Sequence, residues 1–202
     1  MNTIMTFAAA VAVCAALSMP VSGDAWETDY LEEMVSAVVE ADYARGEAAA
    51  EARNETLRLL RAEETAFDFE ELLLLSRIMY AEAGSVWLSD EWKMCVGEVV
   101  LNRVASPEFP DTIREVLEQP GQYYGKNCRY FDTLQPSELC VRLAIRLLRG
   151  ERVMDEPSVV FQANFRQGGG VFAEYKDQQL GSTFFCYSLR PELYAGPEEQ
   201  PA

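Results

Sequence analysis

Asp68-Phe69-Glu70-Glu71-Leu72-Leu73-Leu74-Leu75-Ser76-Arg77-Ile78-Met79-Tyr80-Ala81-Glu82-Ala83-Gly84 is the stretch whose reading decides the fold. Leu72, Leu75, Ile78 and Met79 recur three and four positions apart, the period of one helical face. Asp68 precedes Glu71 by three, the spacing of a capping box, and Gly84 follows the last turn, where a glycine commonly ends a helix. The stretch is therefore a helix with an apolar face to bury, and its last turn carries Glu82. Further along, Ser89 caps a second helix from Asp90 to Val104, with Asp90 and Glu91 in its first turn and Ser106-Pro107 as its stop. A third, shorter helix fits Thr112 to Glu118, between Asp111 as cap and Pro120-Gly121, and a fourth spans Ser137 to Arg149 before Gly150. Ser158 to Ala163 and Thr183 to Tyr187 read as short strands, separated by Gly168-Gly169-Gly170 and a brief segment from Val171 to Tyr175. No internal repeat is visible, and the class that follows is α+β, mostly helical.

Upstream, Leu31, Met34, Val35 and Val38 keep helical spacing and Ala48 to Ala52 continue it, which predicts one long or broken amphipathic helix in residues 24–66. Gly46 is the candidate break, and Leu57, Leu59 and Leu60 are the candidate docking face. The segment is acidic: Asp24 to Glu71 holds 15 acids and 4 bases. It reads as a solvated linker helix, with a protein-binding helix as the alternative. Residues 67–190 are expected to form the main domain, and residues 191–202, rich in Pro and Glu, a flexible tail.

The run from Ile4 to Val21 is apolar and is followed by Ser22, Gly23 and several acids, the pattern of an export signal over residues 1–23. It lacks a Lys or Arg at its front, which keeps an uncleaved membrane anchor as the alternative. Without that run four cysteines remain: Cys95, Cys128, Cys140 and Cys186. An even number in an exported chain predicts two disulfides, with Cys95 to Cys140 and Cys128 to Cys186 as the favoured pairing. Their spacings suit no zinc motif.

A net charge of -16 excludes the usual nucleic-acid binders, which neutralise phosphates with Lys and Arg. With no histidine in the chain, Ser-His-Asp and Cys-His nucleophilic machinery and the usual zinc sites are also excluded. No metal or other cofactor is expected, and the chemistry must rest on carboxylates, hydroxyls, amides or cysteine. Glu82 is the candidate: it ends a helix, where the dipole disfavours negative charge, and Ile78 and Met79 lie one turn back. Both effects raise a carboxyl pKa, and a carboxyl held protonated near neutral pH is what a glycosidase uses as its acid.

Tyr80-Ala81-Glu82-Ala83, Val96-Gly97-Glu98-Val99-Val100-Leu101-Asn102-Arg103-Val104, Ser106-Pro107, Phe109-Pro110-Asp111-Thr112-Ile113 and Gln119-Pro120-Gly121-Gln122-Tyr123 occur in this order. Together they closely resemble the spore cortex-lytic and cell-wall hydrolase (SleB/CwlJ) family, over about Leu72 to Tyr187. The resemblance implies a lysozyme-like, lytic-transglycosylase fold acting on peptidoglycan, with Glu82 as the catalytic residue. It implies cleavage between N-acetylmuramic acid and N-acetylglucosamine with a 1,6-anhydromuramic end as product. A muramidase or glucosaminidase that uses water, and a non-catalytic envelope protein that binds glycan or a partner, are the alternatives. Tyr80, Gln122, Tyr123 and Asn164 are the candidate sugar contacts, Gln122 and Tyr123 by hydrogen bonding and stacking. Asn102 and Arg103 are expected to brace the glutamate's loop. Glu98 is the nearest candidate for a second carboxylate, though a solvated or salt-bridged role is preferred for it. The family's histidine in the last strand is missing from Gly181-Ser182-Thr183-Phe184-Phe185, and no second peptidoglycan-binding domain is read in these residues.

Overall fold

The computed structural model describes residues 25–123 and 125–194. They fall into two units, one reaching Glu70 and one starting at Glu71. The first unit is built on helices α1 (Ala25–Glu40) and α2 (Tyr43–Leu60). The break comes at Ala41 and Asp42 rather than at the expected Gly46. Ala41 takes a left-handed φ of 57°, and the Asp42 side chain caps α2 by accepting the Arg45 N–H at 3.3 Å. Gly46 lies inside α2 because of a neighbour: a Cβ there would stand 2.1 Å from the Phe69 ring. Small residues on α2 (Gly46, Ala49, Ala50) bury alongside Met34, Ala37 and Val38 of α1.

Arg53, with 0 % exposure, pairs with Glu27 at 2.5 Å and donates to the Thr65 carbonyl at 3.2 Å, its guanidinium 4.6 Å from the Phe67 ring centre. Removing one partner of such an enclosed pair leaves a buried charge uncompensated, so the pair fixes this hairpin. Leu57 is buried, whereas Leu59 and Leu60 are about half exposed.

The second unit is formed by α3 (Phe69–Ala83), α4 (Asp90–Ala105), α5 (Ile113–Glu118), α6 (Glu138–Leu148) and three strands, β1 (Val159–Ala163), β2 (Val171–Asp177) and β3 (Gly181–Tyr187). The sheet is antiparallel with β3 in the middle. The mostly helical α+β class expected from the periodicities is the class the chain adopts. Ser89, Thr112 and Ser137 cap α4, α5 and α6 by accepting the N–H groups of Trp92, Glu115 and Cys140 at 3.2, 3.2 and 3.3 Å. The cap of α5 is thus Thr112, not Asp111. Helix α4 is the centre of this unit. On one side Gly97 admits Met79 and Leu147, whose side-chain atoms a Cβ would meet at 2.9 and 2.5 Å. On the other, Trp92, Cys95, Val96 and Val99 pack with Val159 and Phe185 of the sheet.

All four cysteines among the described residues are free thiols, which corrects the two expected disulfides. Cys95 faces the sheet, its Sγ 3.7 Å from the Tyr175 hydroxyl, whereas Cys140 on α6 neighbours Lys93 and Asp90. Positions 93 and 95 point about 200° apart around a helix, so α4 stands between these two sulfurs. Cys186 is buried on β3 and Cys128 is exposed on a loop. Burial pushes the Cys95 thiol up to about 11 and raises that of Cys140 as well.

Within the expected flexible tail, Pro191–Leu193 form a 3-10 turn, and the Tyr194 hydroxyl bonds to Ser106 Oγ at 2.6 Å and Glu108 at 2.7 Å. Residues 195–202, and the signal or anchor over residues 1–23, lie outside the described residues. Among those described, no helix is long and apolar enough to cross a membrane.

Candidate active site

The last turn of α3 delivers Glu82 half-buried to the surface, where its Oε1 accepts the Gly125 N–H at 2.7 Å. Burial raises the Glu82 pKa above the usual carboxylate value, and the Gly125 bond pulls the other way without cancelling it. The dipole argument from the sequence adds to the same direction, but desolvation is the dominant cause. Gly125 has to be glycine: a Cβ there would stand 2.8 Å from Glu82 Oε1 and 2.7 Å from the Ala81 Cβ.

Two depressions meet at Glu82. The larger, of about 570 Å³, is walled by Trp92 and Val96 of α4 and by the end of β1, with Gln122 and Asn164 also on its lining. The smaller, of about 540 Å³, is lined by Tyr80, Gly84, Ser85, Gly125 and Leu180 among others. Glu82 is the one residue common to both linings and, among the described residues, the one carboxylic acid in either. A cleft open on both sides of an acid suits a chain that passes across it. Among the described residues no group of three or more His, Cys, Asp or Glu is placed to hold a metal ion.

The other sequence candidates separate in space. Tyr80, Gln122 and Asn164 line the depressions. Tyr123 does not offer its ring to a sugar: it is 1 % exposed and faces the Arg103 guanidinium at 5.0 Å, which corrects the expected stacking role. Burial pushes its hydroxyl up to about 12, against the pull of Arg103 and with a smaller push from Glu82. Arg103 is itself buried, donating to the Val160 carbonyl at 2.6 Å and lying 4.9 Å from the Phe109 ring centre. Asn102 donates to the carbonyls of Glu156 and Val159, both at 3.0 Å. These two residues therefore brace the entry to β1, the cleft wall, rather than the loop after Glu82.

Glu98 is neither solvated nor salt-bridged. It is 0 % exposed, and its carboxylate accepts the backbone N–H groups of Val153, Met154 and Asp155 at 2.8, 3.1 and 2.9 Å. It lines neither depression, so Glu98, Asn102 and Arg103 form one grip by which α4 holds residues 153–160.

Residues 89–185 match the family model described as Cell Wall Hydrolase. Over those residues, just under half of the chain, the second unit is similar to that family. That similarity supports a peptidoglycan-degrading activity. The matched stretch contains the grip and the cleft wall; Glu82 lies seven residues ahead of it. Two solved structures are similar to this chain. The catalytic domain of the Bacillus cereus SleB protein is 19 % identical over 59 % of this chain and 91 % of its own, with a TM-score of 0.44. The catalytic domain of the germination-specific lytic transglycosylase SleB from Bacillus anthracis is 20 % identical over 59 % of this chain and 96 % of its own, with a TM-score of 0.43. No curated protein matches the chain.

The site residues that sequence reasoning missed are Gly125, Trp92, Phe161, Gln162 and Thr183. Gly125 lies in a loop dense in Tyr, Gly and polar residues. Nothing local shows which N–H of that loop meets a carboxyl 43 residues upstream.

Proposed function

We propose that this chain is an exported peptidoglycan lytic transglycosylase with Glu82 as its single acid and base. The observation that carries the reading is that Glu82 is, among the described residues, the one carboxyl lining either depression, with its pKa raised by burial. In the first step the Glu82 carboxyl protonates the oxygen between N-acetylmuramic acid and N-acetylglucosamine as that bond to the anomeric carbon breaks. In the second, the resulting carboxylate takes the proton of the muramic acid's 6-hydroxyl while its oxygen bonds to the anomeric carbon. The acid is restored, a 1,6-anhydro ring is formed and no water is consumed. Gly125 supports the charged half of this cycle by donating its N–H to the carboxylate.

A hydrolase would need a second carboxylate to activate water, and Glu98, the nearest in sequence, is spent on three backbone N–H groups. Export rests on the apolar run from Ile4 to Val21.

Mass spectrometry of muropeptides released from sacculi tests the reaction type. Anhydromuramic ends are expected, and reducing ends would overturn the transglycosylase reading. Glu82→Gln keeps the acceptor for Gly125 but cannot cycle a proton, so lysis should fall by about 10² to 10⁴.

A further inference from the structure

Three large apolar side chains stand in solvent near the acid. Val86 is 90 %, Trp87 56 % and Leu180 53 % exposed. Val86 and Trp87 belong to the loop between α3 and α4, four and five residues after Glu82, whereas Leu180 is in the turn between β2 and β3. One carboxylate joins the two loops. Asp177 accepts the backbone N–H groups of Leu180 at 2.9 Å and Gln179 at 2.8 Å, and the Trp87 side chain lies close enough to lower the pKa of the same carboxyl. These donors, led by Leu180, hold the Asp177 carboxyl below its usual range.

The indole N–H is the only polar atom of a tryptophan side chain. Trp87 is 56 % exposed, so with its N–H near Asp177 most of what it presents to solvent is its apolar ring. Leu180 also lines the smaller depression with Tyr80, Gly84 and Ser85, and that depression ends on Glu82. The exposed patch is therefore continuous with the site. Exposed apolar surface of this kind marks a binding surface.

The occupant follows from the shape of the substrate. A strand cut in its interior extends past the acid in both directions, and on the side of the smaller depression it would run past Leu180 and the turn held by Asp177. A pyranose ring has an apolar C–H face and polar edges, which fits a flat indole whose one polar group lies near Asp177. The geometry points to Trp87 as a sugar-stacking platform, an outer subsite that binds one pyranose of the glycan strand on the far side of the smaller depression from Glu82. Leu180 and Val86 extend its apolar surface. This inference rests on the proposed reading of the chain as a glycan-cleaving enzyme.

The test uses the full chain, purified glycan strands freed of peptide, and the variants Trp87→Ala and Trp87→Tyr. Trp87→Ala should raise KM on the strands by roughly 3- to 10-fold, the worth of an aromatic contact, while kcat stays within about twofold because the platform is remote from the reacting atoms. Trp87→Tyr should recover most of the KM. In a Glu82→Gln background, addition of strands should shift tryptophan emission to the blue, and Trp87→Tyr should remove that shift. An unchanged KM in Trp87→Ala, with wild-type cleavage intact, would overturn the platform and leave the glycan reading standing. The same unchanged KM with lost sedimentation on phosphatidylglycerol vesicles would overturn it in favour of a lipid contact. A wild-type protein that neither cleaves the strands nor, as Glu82→Gln, binds them would overturn the underlying reading itself.

Discussion

Replacing Glu98 by Gln tests the division of labour between the domain's two central glutamates. The Glu98 carboxylate receives three N–H groups, two on Oε2 from Val153 and Met154 and one on Oε1 from Asp155, with 0 % exposure of the residue. A glutamine keeps one oxygen, which can continue to accept two of them, but its amide NH₂ then faces the third donor. One charge-assisted bond is lost outright and a buried N–H is left without an acceptor. Hydrogen bonds to charged groups contribute about 1.5–3 kcal/mol, and an orphaned buried donor costs about 1–3 kcal/mol, so the variant should lose roughly 2.5–6 kcal/mol. For a chain of this length that corresponds to a fall in Tm of roughly 5–24 °C.

The assay pairs thermal unfolding followed by circular dichroism with peptidoglycan lysis measured well below the variant's Tm. The expected result is a large drop in stability with lysis per folded molecule within a few-fold of the wild type. Stability within about 0.5 kcal/mol of the wild type, the range of ordinary surface changes, would refute the clamp. A loss of lysis as large as that of Glu82→Gln in folded protein would refute the single-acid mechanism.

Gly125→Ala places a methyl group 2.8 Å from Glu82 Oε1, so the loop must retreat and its N–H bond must lengthen. Because that bond lowers the Glu82 pKa, its loss should move the alkaline limb of the pH–lysis profile to higher pH while the maximal rate falls. In native protein without reductant, a thiol reagent should modify Cys128 at once and Cys95, Cys140 and Cys186 only after unfolding, the order of their burial; an intact-mass measurement counts the adducts. Arg53→Ala removes the buried guanidinium paired with Glu27 in the first unit and should cost about 3–5 kcal/mol, read as loss of helical signal and new proteolytic cleavage between Ala25 and Leu60.

The helices and their caps were legible because their signals are local. The periodic leucines before Glu82 and the serines before α4 and α6 act within a turn or two of themselves. Gly46 shows where such reading stops. A glycine inside a helical pattern looks like a break, and only the Phe69 ring packed against it explains why it is there. Glu98 fails for the same reason, since its partners lie 55 to 57 residues away and a charged residue in a helix reads as solvated until they are seen. Tyr123 packs against Arg103 and is buried, an outcome its sequence does not show, because an aromatic residue in a polar loop reads equally well as a sugar platform and as packing. The disulfide expectation counted cysteines, and a count says nothing about the helix that stands between Cys95 and Cys140.

The contrast between Glu82 and Glu98 shows why one of them is equipped for proton transfer. Both are partly or wholly withdrawn from water in the same domain, so burial alone does not distinguish them. The number of donors does. Glu98 meets three N–H groups, which occupy both of its oxygens and require them to act as acceptors only. Glu82 meets one, at Oε1, which fixes the carboxyl without occupying it, and desolvation outweighs that single bond to keep its pKa raised. Its Oε2, which receives no such backbone N–H, is the oxygen that would carry the proton in the proposed mechanism. A second donor at that oxygen would hold the carboxylate in place and lower its pKa, and the proton needed by the leaving oxygen would no longer be there to give.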